Sequence, residues 1–273
     1  YRTFHAADKG NPAKDYGYLR HLDVDRIVVQ GPVLTQHVAQ LWEPTLQALH
    51  SRGGRWAMLG AAFFKFREAE LTAVRAFLDR YPPEFISTRD ARSFEVLQSW
   101  AQPFPIYNGI DSAFFAPKTY TPFALADTSY YAFNFDRYPE PDITVGEADP
   151  TADASFTVDG ATWNLYTPRL PSALAHRSKV QAYFGHALDR RTLPAELNGR
   201  TIVRPEHRFN PHVTPKIYQH ANAVASDEPW TYFTVYANAE LTLADRVHAC
   251  VMTLAYGRNA MLFTPSPRAA LFE

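Results

Sequence analysis

A chain of 273 residues, 46% hydrophobic and 14% aromatic, has ample material for buried cores in one large domain or two of ordinary size. A formal net charge of −1 with no basic stripe excludes an electrostatic nucleic-acid binder. No apolar run approaches the roughly 20 residues of a membrane span and no stretch reads as a signal peptide, so the cytoplasm is the default compartment.

Residues 1–25 are polar and irregular. Arg26-Ile27-Val28-Val29-Gln30 then reads as a short strand ending in Gly31-Pro32. A helix is predicted from Leu34 to His50, with Pro44 placed to kink or split it. Trp56 to Gly60 is the next strand and Glu68 to Tyr81 the next helix. Phe85 to Thr88 is a third strand, running into Arg89-Asp90 and a helix through Trp100; Ile106 to Phe115 closes the set. Strands alternating with helices at these lengths predict a mostly parallel sheet covered on both faces, hence an α/β protein. Gly31 and Gly60 follow strands but sit in neither a GxGxxG nor a Walker-type loop, so they read as turn glycines and imply no dinucleotide or ATP site. Arg89 stands at the carboxyl end of a strand with Asp90 as N-cap; it reads equally as a ligand-facing cation or a surface salt-bridge residue.

Composition shifts at Pro117 towards Pro, Thr, Tyr and Asp, which sets the expected boundary between an N-terminal domain, 1–116, and a C-terminal one, 117–273. Tyr130 to Phe135 reads as the first strand of the second domain. Within an inserted region of about 140–170, Phe156 to Leu165 reads as a hairpin turning at Asp159-Gly160, with Phe156, Val158, Trp163 and Leu165 on one face. That face is expected to pack as core rather than serve as a sugar platform. Ser178 to Leu188 is predicted helical. From Thr201-Ile202-Val203-Arg204 the α/β alternation resumes, with a helix over Thr214 to Ala221, a strand at Val224 to Ser226 and a helix from Trp230 to Ala237. Arg204, His207, Arg208 and His212 cluster here on a Pro-bounded stretch. No carboxylate stands at a ligand spacing, so no metal site is expected; the histidines read as structural or acceptor-facing.

The stretch Asp245 to Gly257 is the centre of the chemical reading. Leu241 to Ala244 precedes it as a strand and Ala260 to Phe263 follows as another. Val247, Cys250, Val251, Leu254 and Ala255 recur at helical spacing, with Asp245 as expected N-cap and Gly257 as stop. The single cysteine, Cys250, falls on this apolar face and reads as a small core residue. Arg246 and His248 stand where strand turns into helix, the place at which doubly wound sheets bind ligands. A permanent cation and a near-neutral titrating group beside free backbone N–H groups suit an anion that also exchanges a proton. The same pair also reads as a solvated helix entrance, and only in the first turn do residues two apart serve one pocket. No G-x-S-x-G elbow, no H-E-x-x-H and no cysteine placed as a nucleophile occurs in the chain.

Ile86-Ser87-Thr88-Arg89-Asp90 with Ser93, then Asn108-Gly109-Ile110-Asp111-Ser112-Ala113-Phe114, then Asp245-Arg246-Val247-His248-Ala249 with Gly257, together resemble the polysaccharide pyruvyl transferases. The order of the motifs is right and they span nearly the whole chain. The resemblance implies two Rossmann-like domains facing across a cleft, as in GT-B glycosyltransferases. It implies phosphoenolpyruvate as donor and a glycan or lipid-linked sugar as acceptor, an arrangement compatible with peripheral membrane association; no further cofactor and no metal are expected, because helix N-termini and arginines can carry the charge. By the same resemblance Arg246 and His248 are catalytic, while Arg89, Arg246 and Arg268 bind the donor. The family carries a functional Lys near the position of Arg268, and Arg268 keeps the charge but not the Lys geometry. Arg204, His207 and His212 are assigned to the acceptor. The alternative is a GT-B glycosyltransferase with a nucleotide-sugar donor, which would want a carboxylate pair gripping a ribose in the second domain.

Overall fold

The computed structural model of the chain describes residues 17–125, 129–135, 138–168, 191–207, 220, 222–263 and 267–272. The expected helices Ser178 to Leu188 and Thr214 to Ala221 lie outside these residues, apart from His220. The chain divides into two compact units, Tyr1–Ser112 with Ser266–Glu273, and Ala113–Pro265. The division therefore falls just before the compositional shift at Pro117, and the C-terminal tail groups with the first unit rather than the second.

In the first unit β1 (Arg26–Gln30), β2 (Arg55–Ala61), β3 (Ile86–Thr88) and β4 (Ile106–Tyr107) form a parallel sheet in that order. The connections are α1 (Val38–Ser51), α2 (Glu68–Arg80) and α3 (Ala91–Gln98). Two expectations shift here. The first helix begins at Val38, not Leu34, because Leu34 is still extended and bridges Phe63 in parallel. Pro44 lies inside α1 without splitting it. The stretch after Pro105 is strand for only two residues and becomes a 3₁₀ segment over Ser112–Lys118. Leu46, Leu49, Trp56, Met58, Phe63, Leu78, Ile86 and Leu97 close the core. Each such side chain contributes roughly 1.5–3 kcal/mol on burial.

The second unit is built on β5 (Tyr130–Asn134), β10 (Arg200–Glu206), β11 (Ala223–Ala225), β12 (Leu241–Ala244) and β13 (Asn259–Leu262). They lie in the order β11-β10-β5-β12-β13, all parallel, with the short β9 (Glu196–Leu197) antiparallel on β10. Numbered by appearance, the five parallel strands run 3-2-1-4-5. Every residue of β5 and β12 is buried, which is why both read as continuous apolar runs rather than alternating ones. Two helices complete the described part, α4 (Pro229–Asn238) and α5 (Val247–Ala255).

The insertion is a three-stranded antiparallel sheet, β6 (Asp142–Gly146), β8 (Ala161–Tyr166) and β7 (Ala154–Val158) in spatial order. The β7–β8 turn falls at Asp159-Gly160 as expected, both residues at positive φ, 51° and 78°. Its aromatic face is core: Trp163 and Leu165 are each 2% exposed, and Trp163 meets Tyr131 edge-on at 4.9 Å and stacks on Phe156 at 6.0 Å. Strand β6 was not anticipated, although its alternating exposure is the period-2 signature of a half-buried strand.

Candidate active site

The motif residues gather at the carboxyl ends of strands, within each unit separately. In the first unit β3 delivers Arg89 and Asp90. Asp90 is the N-cap of α3: one carboxylate oxygen accepts from the Ser93 N–H at 2.7 Å and the other from the Ser93 hydroxyl at 2.9 Å. The Ser93 hydroxyl oxygen also accepts from the Phe63 N–H at 3.2 Å, tying the loop after β2 to the start of α3. Arg89 is almost wholly buried, its side chain 2% exposed, and pairs with the similarly buried Asp111 at 2.9 Å. It is thus neither an open anion ligand nor a surface salt bridge. Gly109 is obligatory between them: a Cβ there would lie 2.2 Å from Ser87 Oγ and 2.8 Å from the Thr88 carbonyl oxygen. Asp111 stood in the quoted motif without a role; its partner lies 22 positions away, beyond the reach of local reasoning.

In the second unit the strand order reverses between β5 and β12, and ligands of open α/β sheets bind beyond the carboxyl ends of the strands at such a reversal. Asn134 ends β5 and Asp245 follows β12; the Asp245 N–H donates to the Asn134 carbonyl at 3.0 Å. From that junction α5 opens with Arg246 and His248. The expected cap is corrected here. Arg246, not Asp245, is the N-cap, in extended conformation and without a side-chain cap hydrogen bond. Asp245 is 1% exposed, and its carboxylate accepts from the Tyr138 N–H at 2.8 Å, fastening the segment after β5. Arg246, the N-cap, is half-buried, and His248, in the first turn, is exposed.

The body of α5 anchors this corner. Val247, Ala249, Cys250, Val251, Met252 and Thr253 are buried, and Thr253 Oγ1 donates to Thr242 Oγ1 of β12 at 2.7 Å. Leu254, expected on the apolar face, is 39% exposed. Burial, and secondarily the nearby Asp245 carboxylate, pushes the Cys250 thiol up to about 12, which removes it as a nucleophile. Asn134 Nδ2 donates to the Pro205 carbonyl at 2.6 Å, while its Oδ1 is buried with no hydrogen-bond partner among the described residues. An unsatisfied buried acceptor costs about 1–3 kcal/mol.

The residues assigned to the acceptor separate. Arg204, 5% exposed, is inside β10 and makes a bidentate pair with Glu140, both contacts 2.8 Å. His207 follows the carboxyl end of β10, on the same sheet edge as Arg246, and lies against Tyr232 with ring centroids 4.2 Å apart and on hydrogen-bonding terms with the Tyr236 hydroxyl. His212 lies outside the described residues, as does the side chain of Arg268, whose backbone is in a 3₁₀ turn over Pro267–Phe272. Glu140 and Asn134 were missed; Glu140 is 64 positions from its partner, and Asn134 read only as part of an aromatic strand. Among the described residues no group of three or more His, Cys, Asp or Glu is placed to hold a metal. No described helix is long and apolar enough to cross a membrane.

Among solved structures, the S. aureus MnaA–UDP co-structure is similar in fold, with a TM-score of 0.50 at 9% identity over 89% of this chain. The chain spans 57% of that structure's length. The similarity agrees with a mixed α/β fold carrying parallel sheets. Comparison with curated proteins finds no match. The sequence matches the polysaccharide pyruvyl transferase family over residues 5–267, which takes in all three motifs placed above. The chain belongs to the polysaccharide pyruvyl transferase family, a family of transferases.

Proposed function

We propose that the protein transfers the pyruvate unit of phosphoenolpyruvate onto a sugar of a polysaccharide or lipid-linked glycan precursor in the cytoplasm, forming a pyruvate ketal. In this reading each unit is a Rossmann-like domain, as in the GT-B arrangement. The observation that carries it is the position of Arg246 at the N-cap and His248 in the first turn of α5, at the reversal of strand order.

The chemistry asks for anion binding and proton movement. A proton adds to C3 of the donor while a sugar hydroxyl oxygen bonds to C2 and loses its proton. Phosphate then leaves C2, and a second hydroxyl of the same sugar takes its place. Of the two hydroxyl protons released, one balances the C3 proton and the other the departing phosphate. Arg246 binds the donor's carboxylate or phosphate, assisted by the positive end of the α5 dipole. His248, an imidazole at the exposed entrance, serves as proton donor or acceptor. Arg268 is assigned to the donor by family resemblance. Arg89, clasped by Asp111, enters as a positioning residue that fixes the β3 terminus. His207 stands towards the acceptor, and Arg204 supports that edge through Glu140.

Thermal shift with phosphoenolpyruvate beside a panel of nucleotide sugars tests the donor. A ligand at 100 times its Kd stabilises by about 2.7 kcal/mol, which is readily seen as a rise in Tm. Phosphoenolpyruvate is expected to give it; stabilisation by nucleotide sugars alone would overturn the reading.

A further inference from the structure

The opposite edge of the second unit's sheet holds a concavity of about 440 Å³ that the chemistry above does not use. It lies at the amino ends of the strands: Leu241 and Asn259 open β12 and β13, and Arg200 opens β10. The four residues of β12 put about 13 Å between this edge and the one bearing Arg246. Small-molecule sites enclose roughly 300–1,000 Å³, so the volume is sufficient for one.

Its walls have a definite character. Its base is closed by Tyr131, Trp163 and Leu241, 7%, 2% and 2% exposed, so the surface it offers a ligand is mainly polar. The rim brings Asn198 and Asn259, whose amides both donate and accept, together with two arginines and two carboxylates. The charges balance: Arg200 and Arg258 stand against Asp159 and Glu240, and Arg200 Nε already donates to Glu240 Oε2 at 3.0 Å. A rim of that balance offers no net attraction to a phosphate or a polycation. Tight turns carry the rim, with Asp159, Asn198 and Gly257 at φ 51°, 48° and 75°. Numerous donors and acceptors with balanced charge match a neutral, hydroxyl-rich ligand such as a sugar.

We infer that this concavity binds a neutral glycan segment, gripping the acceptor polymer away from the sugar that reacts. The inference rests on the reading that the acceptor is a glycan. It assigns Asn259, Asn198 and Arg258 to a binding site distinct from the transfer site.

The test is amide-resolved NMR of the full chain, titrated separately with three neutral disaccharides (cellobiose, lactose and maltose), with inorganic phosphate and with phosphoenolpyruvate. At least one disaccharide is expected to move the Gly199, Gly257 and Asn259 amides saturably. Asn259→Ala is expected to weaken that binding about 5-fold, the scale of one uncharged hydrogen bond. Phosphate moving these amides where no disaccharide does would make it an anion site and overturn the inference, as would no saturable movement with any of the three sugars. Phosphoenolpyruvate reports separately, through the His248 and Ala249 amides. Movement there without a sugar response at Gly257 sinks the glycan site and leaves the transferase reading; the converse leaves the glycan site and sinks the donor assignment.

Discussion

Arg89 and Asp111 form an ion pair at 2.9 Å with their side chains 2% and 8% exposed. Two charges so removed from water are held by each other, and a pair of this kind is far costlier to break than to replace whole. Asp111→Ala is expected to lower stability by about 3–5 kcal/mol, measured by urea unfolding, since it strands a buried guanidinium. Arg89→Met combined with Asp111→Leu is expected to cost less than either single change. A double variant as unstable as the sum of the singles would show the two residues acting independently.

Trp163 joins the inserted sheet to the second unit's core, edge-on to Tyr131 and stacked on Phe156. Truncation to Ala is expected to cost about 3–5 kcal/mol. Phe123, 78% exposed, is the contrast: Phe123→Ala is expected to stay within about 0.5 kcal/mol of the parent. Equal losses for the two would mean that the hairpin face is not core.

Cys250 predicts an alkaline signature. Burial lifts its thiol from 9.0 to about 12, so the folded state keeps a proton that the unfolded chain gives up. Its contribution is complete below the unfolded value and is lost as pH rises from about 9 through 12. The native protein is therefore expected to resist thiol labelling at pH 8 and to label at once in urea. Cys250→Ala is expected to flatten the fall in stability above pH 9, although Tyr130, also raised to about 12 by burial, leaves a residual slope. Rapid native labelling would contradict the buried placement of α5.

Particular residues show where sequence reasoning succeeds. Strand β1, the buried run of β12 and the Asp159-Gly160 turn were legible because local chemistry decides them: an apolar run of strand length, and a dipeptide that tolerates positive φ. Asp245 was misplaced as a cap because its carboxylate answers Tyr138, 107 positions away, and that long-range bond outweighs local capping preference. Leu254 was placed inside by period, yet the nine-residue α5 buries Ala249, Met252 and Thr253 around more of its circumference and leaves the Leu254 side exposed. The candidate residues Arg246 and His248 were visible as a pair, while Asp111 and Glu140 become visible only through contacts that cross the chain.

The most direct measurement of the central claim compares Arg246→Ala and His248→Asn, reading phosphoenolpyruvate affinity by calorimetry and turnover in the same preparations, with Tm as control. Arg246→Ala removes the cation proposed to bind the donor anion, so affinity is expected to fall by the equivalent of about 1.5–3 kcal/mol. His248→Asn keeps size and polarity but moves no proton; affinity is expected to hold while turnover drops about 100-fold or more. Neither side chain fills the core of α5, so both Tm values are expected to stay near the parent's. Parent-rate turnover of phosphoenolpyruvate by His248→Asn, or undiminished donor binding by Arg246→Ala, would contradict the account.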